Sequence, residues 1–249
     1  MPTEVPIPTD ASESPEQIKK IEAFFTDLLE LVFGEEWALL QERVERQAPS
    51  ILTTPEHLCR LGSVLGTASC IQSVPLSLFE SVLQVAGTGA LTFTDASGRT
   101  PFHMELLHLD RPDITKFLCR ACPSLVHIRD TESLRGIDIL TQKILMKEEH
   151  LRYLKDRATA ADHQSLADCL ECARLVTLYH GQAADTTTVT ATMDNDLDLP
   201  MMHACCLARS DVPLSLVERT VRRYGAEQAE VQDAKGNTVS QREVFCHFQ

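Results

Sequence analysis

The chain has 249 residues, 43% apolar and 24% charged, which is enough to bury a sizeable core in one domain or two small ones. With 23 basic against 36 acidic residues its formal charge is -13, which disfavours nonspecific binding to nucleic acid or to an anionic membrane. No apolar run reaches membrane-spanning length, and the start lacks the basic-then-apolar layout of a secretory signal. Nine cysteines in a chain of this size read as reduced, buried thiols, so an intracellular, cytoplasmic protein is expected.

Residues 1–15 carry four prolines and little that packs, and read as a flexible tail. Ser14 as N-cap, Pro15 at the first helical position and apolar residues at Ile18, Ile21, Phe24, Phe25, Leu28 and Leu29 predict an amphipathic helix. A second helix is expected from about Glu35 to Arg46, between Gly34 and Pro49, with Trp37, Leu40 and Val44 on its apolar side. Residues 16–54 thus read as a helical N-terminal cap, and 55–249 as a repeat domain. In that domain "PEHLCRLGSVLGTA" predicts a helix despite Gly62 and Gly66, and "VPLSLFESVLQVAG" predicts another that starts near Pro75 and stops at Gly87. "ALTFTDASG" then alternates into a turn, and Phe102–Asp130 repeats the order. A long helical region is expected over 138–181 with a break near Ala160–His163, followed by a polar loop near 182–198 and renewed helical pattern from Pro200.

The chain repeats itself. Val74–Thr100 and Val212–Thr238 align without a gap, matching at Val74/Val212, Pro75/Pro213, Leu76/Leu214, Ser77/Ser215, Leu78/Leu216 and Glu80/Glu218. The match continues at Gly87/Gly225, Asp95/Asp233, Ala96/Ala234, Gly98/Gly236 and Thr100/Thr238. A weaker middle copy places Asp130 where Asp95 stands 35 residues earlier. Asp95 and Asp233 read as turn residues that bond their own backbone, with Gly98 and Gly236 in turn conformations costly to other residues.

"GRTPFHMELL" resembles the Thr-Pro-Leu-His-x-Ala signature of the ankyrin repeat, with Phe102 for the usual Leu and Glu105 where a small Ala is expected. "LPMMHACCLA" keeps Pro200, His203 and Ala204 with one extra residue between proline and histidine, and "DTESLRGIDILTQ" at 130–142 has lost both. The long, unequal helices resemble the divergent ankyrin-like proteins of diatoms, over roughly 55–245. The resemblance implies an all-α solenoid of helix-turn-helix units with short hairpin turns between them, used to bind another protein. It implies structural roles for Gly98, Thr100, Pro101, His103, Asp130, Pro200, His203 and Gly236. It also implies a recognition surface at the turn tips, which here would include Thr94, Ala96, Ser97, Arg99, Thr131, Glu132, Gln232, Lys235 and Asn237.

His103, at a helix start after a turn, is expected to bond the backbone or the Thr100 hydroxyl rather than to catalyse. Chemistry is otherwise sparse: there is no Gly-rich phosphate loop, His-Glu-x-x-His motif or nucleophile elbow. Two Cys-x-x-Cys pairs, Cys119/Cys122 and Cys169/Cys172, have the ligand types of a structural zinc site, yet both lie in helical stripes that suit plain burial. The expectation is a noncatalytic protein-protein interaction module or scaffold with no cofactor, and a partner with a basic surface. A zinc-binding helical regulator using those four cysteines is the alternative.

Overall fold

Proline opens four of the first six helices, where its missing N–H is one of the donors a helix leaves unpaired anyway. These are α1 (Pro15–Phe33), α3 (Pro55–Ala68), α5 (Pro101–His108) and α6 (Pro112–Ala121). Three of them carry a hydroxyl cap: Ser14, Thr54 and Thr100 accept from the N–H groups of Gln17, His57 and His103 at 3.2, 3.3 and 3.4 Å. Between them lie α2 (Trp37–Ile51) and α4 (Leu76–Ala86), and after them come α7 (Gly136–Leu154), α8 (Ala160–Ala183) and α9 (Leu214–Gln228). The structure is a computed structural model that describes residues 14–183, 201, 204, 205 and 212–228; every regular element among the described residues is helical.

Two boundaries differ from expectation. Helix α2 runs past Pro49 to Ile51, because a proline so near the end forfeits only one backbone bond while Ala48 and Ile51 are buried and hold the last turn. The break in the long helical region falls at 155–159, where Lys155 takes a φ of +49°. Ala160–His163 instead form the first turn of α8, held by Thr159 and Asp162: the Thr159 N–H donates to Asp162 at 2.8 Å and the Asp162 N–H to the Thr159 hydroxyl at 3.3 Å. The alternating "ALTFT" forms no strand. A 3-10 turn at Gly87–Gly89 leads into it, and the adjacent Ala90 and Leu91 are both buried.

The odd-numbered helices pack in succession, α1 on α3, α3 on α5 and α5 on α7. The even-numbered ones do the same, α2 on α4, α4 on α6 and α6 on α8, while α1 also lies on α2 and α7 on α8. One connected apolar core runs between these two rows from Ile21 to Leu216. Ile18, expected on the apolar face of α1, is 43% exposed and lies outside it. Polar ties accompany the burial. Trp37 Nε1 donates to the Ser73 hydroxyl at 3.0 Å, Ser77 donates to Gln41 at 3.0 Å and Ser81 to Glu45 at 2.7 Å, which pins α2 to α4 and its leading loop at every helical turn. The internal repeat has a structural counterpart: α4 and α9 both begin just after their proline, and Val74/Val212 and Leu78/Leu216 are buried alike. Helix α9 nevertheless continues through Gly225, whereas α4 stops at Gly87 with φ +62°.

Candidate functional site

Two turns of the same construction stand side by side before α5 and α7. In the first, Asp95 Oδ1 accepts from the N–H groups of Ser97 and Arg99 at 2.8 and 2.9 Å. In the second, Asp130 Oδ1 accepts from those of Glu132 and Leu134, both at 2.9 Å. Each aspartate also closes its turn through the backbone, Asp95 N–H to Arg99 O and Asp130 N–H to Leu134 O, both at 2.9 Å. The left-handed position is Gly98 (φ +69°) in one and Ser133 (φ +64°) in the other. Glycine is required in the first because a Cβ there would sit 3.0 Å from the Thr131 nitrogen.

The turns are joined to one another. Thr131 N–H donates to Ser97 O at 2.9 Å, and the Arg99 guanidinium reaches Asp130 Oδ2 at 3.4 Å and Glu132 Oε1 at 3.5 Å. Burial works to raise the Asp130 carboxyl, but the Leu134 and Glu132 amides and Arg99 outweigh it and hold it below the usual range. Thr94, Ala96, Thr131 and Glu132 project outward, exposed, while Ser97 and Arg99 are half-buried. Six of the expected tip residues are therefore brought onto one edge, four by projection and two as parts of its joinery. Gln232, Lys235 and Asn237 lie outside the described residues, as do Pro200, His203 and Gly236.

Behind the first turn, His103 acts on the helix start. Its Nδ1 accepts from the Thr100 N–H at 3.3 Å and lies 2.9 Å from the Thr100 hydroxyl, while Thr100 Oγ1 accepts from the His103 N–H. That places the imidazole proton on Nε2, which is buried beside the backbone carbonyls of Ile128 and Leu134. Burial pushes the imidazole below its ordinary value, against the pull of Asp130. Thr100, Pro101 and Asp130 are buried with it. In the next unit, which has lost the proline and histidine, Asp138 takes over: its Oδ2 accepts from the Arg135 N–H at 2.9 Å and from Arg135 Nε at 3.0 Å. The sequence spacing contained that substitution, since Asp138 follows Asp130 as His103 follows Asp95.

A second constellation is buried between α5, α6, α7 and α8. Glu105 has no solvent exposure; Oε1 accepts from the Arg111 N–H at 2.6 Å and Oε2 from the Thr115 hydroxyl at 3.1 Å. Thr115 Oγ1 in turn lies 3.3 Å from Cys172 Sγ on α8. Burial pushes the Glu105 carboxyl up to about 7. Asp110, with φ +63°, is buried at the end of α5 and takes Lys143 Nζ at 2.6 Å and Lys147 Nζ at 3.3 Å. Lys143 also donates to the carbonyls of Leu106 and Leu107 at 2.6 and 3.1 Å, so a cation closes the C-terminal end of α5. Sequence reasoning missed Asp110, Lys143 and Lys147; the one local signal is an aspartate before Arg-Pro at a helix end, a residue type that tolerates the left-handed conformation.

Cys119, Cys122, Cys169 and Cys172 are all buried, each on a helix or at its end. Burial pushes the Cys169 thiol up to about 12 and raises those of Cys119 and Cys172 as well. Among the described residues no three or more histidine, cysteine or acidic side chains are placed to hold a metal ion, and no helix is long and apolar enough to cross a membrane. In comparisons with known proteins, no family model, no curated protein and no solved structure matches the chain.

Proposed function

We propose that the chain is a noncatalytic protein-binding module, a solenoid of divergent ankyrin-type units that presents its turn tips to another protein. The observation that carries this reading is the bonded pair of turns. Asp95 and Asp130 build equivalent turns, Thr131 N–H donates to Ser97 O, and Arg99 spans both, so the exposed side chains of Thr94, Ala96, Thr131 and Glu132 stand in a fixed row. A row fixed before contact loses little conformational entropy on binding, which favours recognition by such an edge. The succession of odd and even helices supports the solenoid. A partner with a basic surface suits the net charge.

The test replaces Thr94, Ala96, Thr131 and Glu132 together with lysine, leaving Asp95, Gly98, Arg99 and Asp130 to hold the turns. With helicity and unfolding midpoint unchanged, the variant should lose at least about tenfold in capture of the partner set retained by the native chain, the effect of a little over 1 kcal/mol of interface contact. Equal capture by a folded variant would move recognition off this edge.

A further inference from the structure

Helices α1 and α2 open the two rows, so among the described residues no earlier helix packs on either of them. Helix α1 buries Phe24, Phe25, Leu28 and Val32, and α2 buries Leu40 and Val44, so the core is served without Phe33 or Leu39. Phe33, the last residue of α1, is 72% exposed, and Leu39, in the first turn of α2, is 45% exposed. Scattered singly, such residues are ordinary, but these two flank one short turn together with the half-buried Trp37. The turn is held firmly. Gly34 N–H donates to Glu30 O at 2.8 Å, Glu35 N–H to Val32 O at 3.1 Å and Glu36 N–H to Leu31 O at 2.9 Å. The Ser73 hydroxyl donates to the Glu35 carboxylate and accepts from Trp37 Nε1 at 3.0 Å, which ties the turn to the loop before α4.

The surroundings carry one sign of charge. From Ile21 to Glu42 the chain has six acidic residues, Glu22, Asp27, Glu30, Glu35, Glu36 and Glu42, and no lysine, arginine or histidine. Arg43 pairs with Asp27 at 3.4 Å and Arg46 with Glu42 at 2.6 Å, while Arg60 lies over the Phe25 ring at 4.6 Å. The three glutamates of the turn, Glu30, Glu35 and Glu36, are exposed and have no basic partner among the described residues. Two nearer occupants fail on charge. Residues 1–13 contain Glu4, Asp10 and Glu13 and no basic residue, and a second copy bringing its own turn would set like charges against each other.

We propose that the α1–α2 turn docks a lysine- or arginine-rich segment of another protein. An apolar side chain of that segment seats on Phe33 and Leu39, and its cations meet Glu30, Glu35 and Glu36. This site stands apart from the turn-tip edge in sequence and does not rest on the reading of that edge. The aromatic contact supplies most of the affinity, while the charges around it act mainly on association rate and choice of partner. Added salt therefore weakens the docking without abolishing it.

Trp37 makes the test direct, because the full chain has no other tryptophan. The probe is a synthetic tryptophan-free helical peptide with leucine along one face and lysine along the other; its counterpart has glutamate for every lysine. The lysine peptide should shift Trp37 emission saturably, with a Kd of about 10 μM or tighter, and the glutamate peptide should leave it unchanged. Phe33→Ala, and separately the pair Glu30→Lys with Glu36→Lys, should each weaken binding at least about tenfold. The pair Glu149→Lys with Asp156→Lys makes an equal change of charge on α7 and the turn after it, and should stay within about twofold of the native chain. No saturable shift, binding that Phe33→Ala leaves intact, or an equal loss in both charge pairs overturns the proposal. Hydroxyl-radical footprinting of the chain alone covers the other occupants, and Phe33 should be oxidised freely. Protection that grows with protein concentration would assign the turn to a second copy, and protection independent of concentration would assign it to the chain's own residues; either overturns the proposal.

Discussion

His103 and Glu105 sit two residues apart on α5 and tie the chain to pH in opposite senses. Burial lowers the imidazole, so the folded state prefers it neutral; its contribution is complete above the unfolded value near 6.5 and is lost as pH falls below it. Burial raises the carboxyl, so the folded state prefers it protonated; stability declines as pH rises from about 4.5 to about 7 and is level beyond. That separation corresponds to about 3 kcal/mol at most. His103→Ala should destabilise by about 2 kcal/mol, because the Thr100 N–H loses its acceptor in a buried setting and the reciprocal cap is broken. Urea unfolding at pH 5, 6, 7 and 8 checks both the loss and its slope: His103→Ala should abolish the decline toward acid while leaving the decline toward neutral pH, which belongs to Glu105. A wild-type acid-side slope retained in the alanine variant would assign it to another group.

At the scale of elements, glycine position decides what a helix can tolerate. Gly62 and Gly66 lie on α3 and look alike in sequence, yet a Cβ at Gly62 would meet Phe93 Cβ at 2.4 Å and the Ala90 carbonyl at 2.8 Å, whereas at Gly66 nothing lies within 4 Å. Gly66→Ala should stabilise by about 0.5–1 kcal/mol through helix propensity, and Gly62→Ala should destabilise despite the same propensity gain. Thermal unfolding of the pair reads the two signs directly. The same contrast shows what the sequence could disclose. Helix starts were legible where they carry local chemistry, as at Ser14-Pro15, Thr100-Pro101 and Asp95 with its Gly98, because cap and turn residues act within four positions. The long-range partners were not: Phe93 against Gly62, Lys143 on Asp110, and Arg111 on the carbonyls of Gln72 and Val74 join residues more than thirty apart, and no period or motif announces them. Asp138 is intermediate, since its role is fixed by local spacing but is visible only once the two turns have been seen to coincide.

From α1 to α8 the packing is serial, each helix lying on its predecessor and successor in the same row, with α1 on α2, α5 on α6 and α7 on α8 across the rows. In such an arrangement stability approximates a sum over units and the interfaces between them, and damage at one end need not reach the other. Leu28, fully buried in α1 where that helix lies on α2 and α3, offers the test. Leu28→Ala should cost about 2–5 kcal/mol through lost burial and the cavity it leaves. If the units act in series, amide exchange should accelerate in α1, α2 and α3 while α7 and α8 keep their native protection. A chain that folds as one cooperative body would instead lose protection everywhere by the same factor.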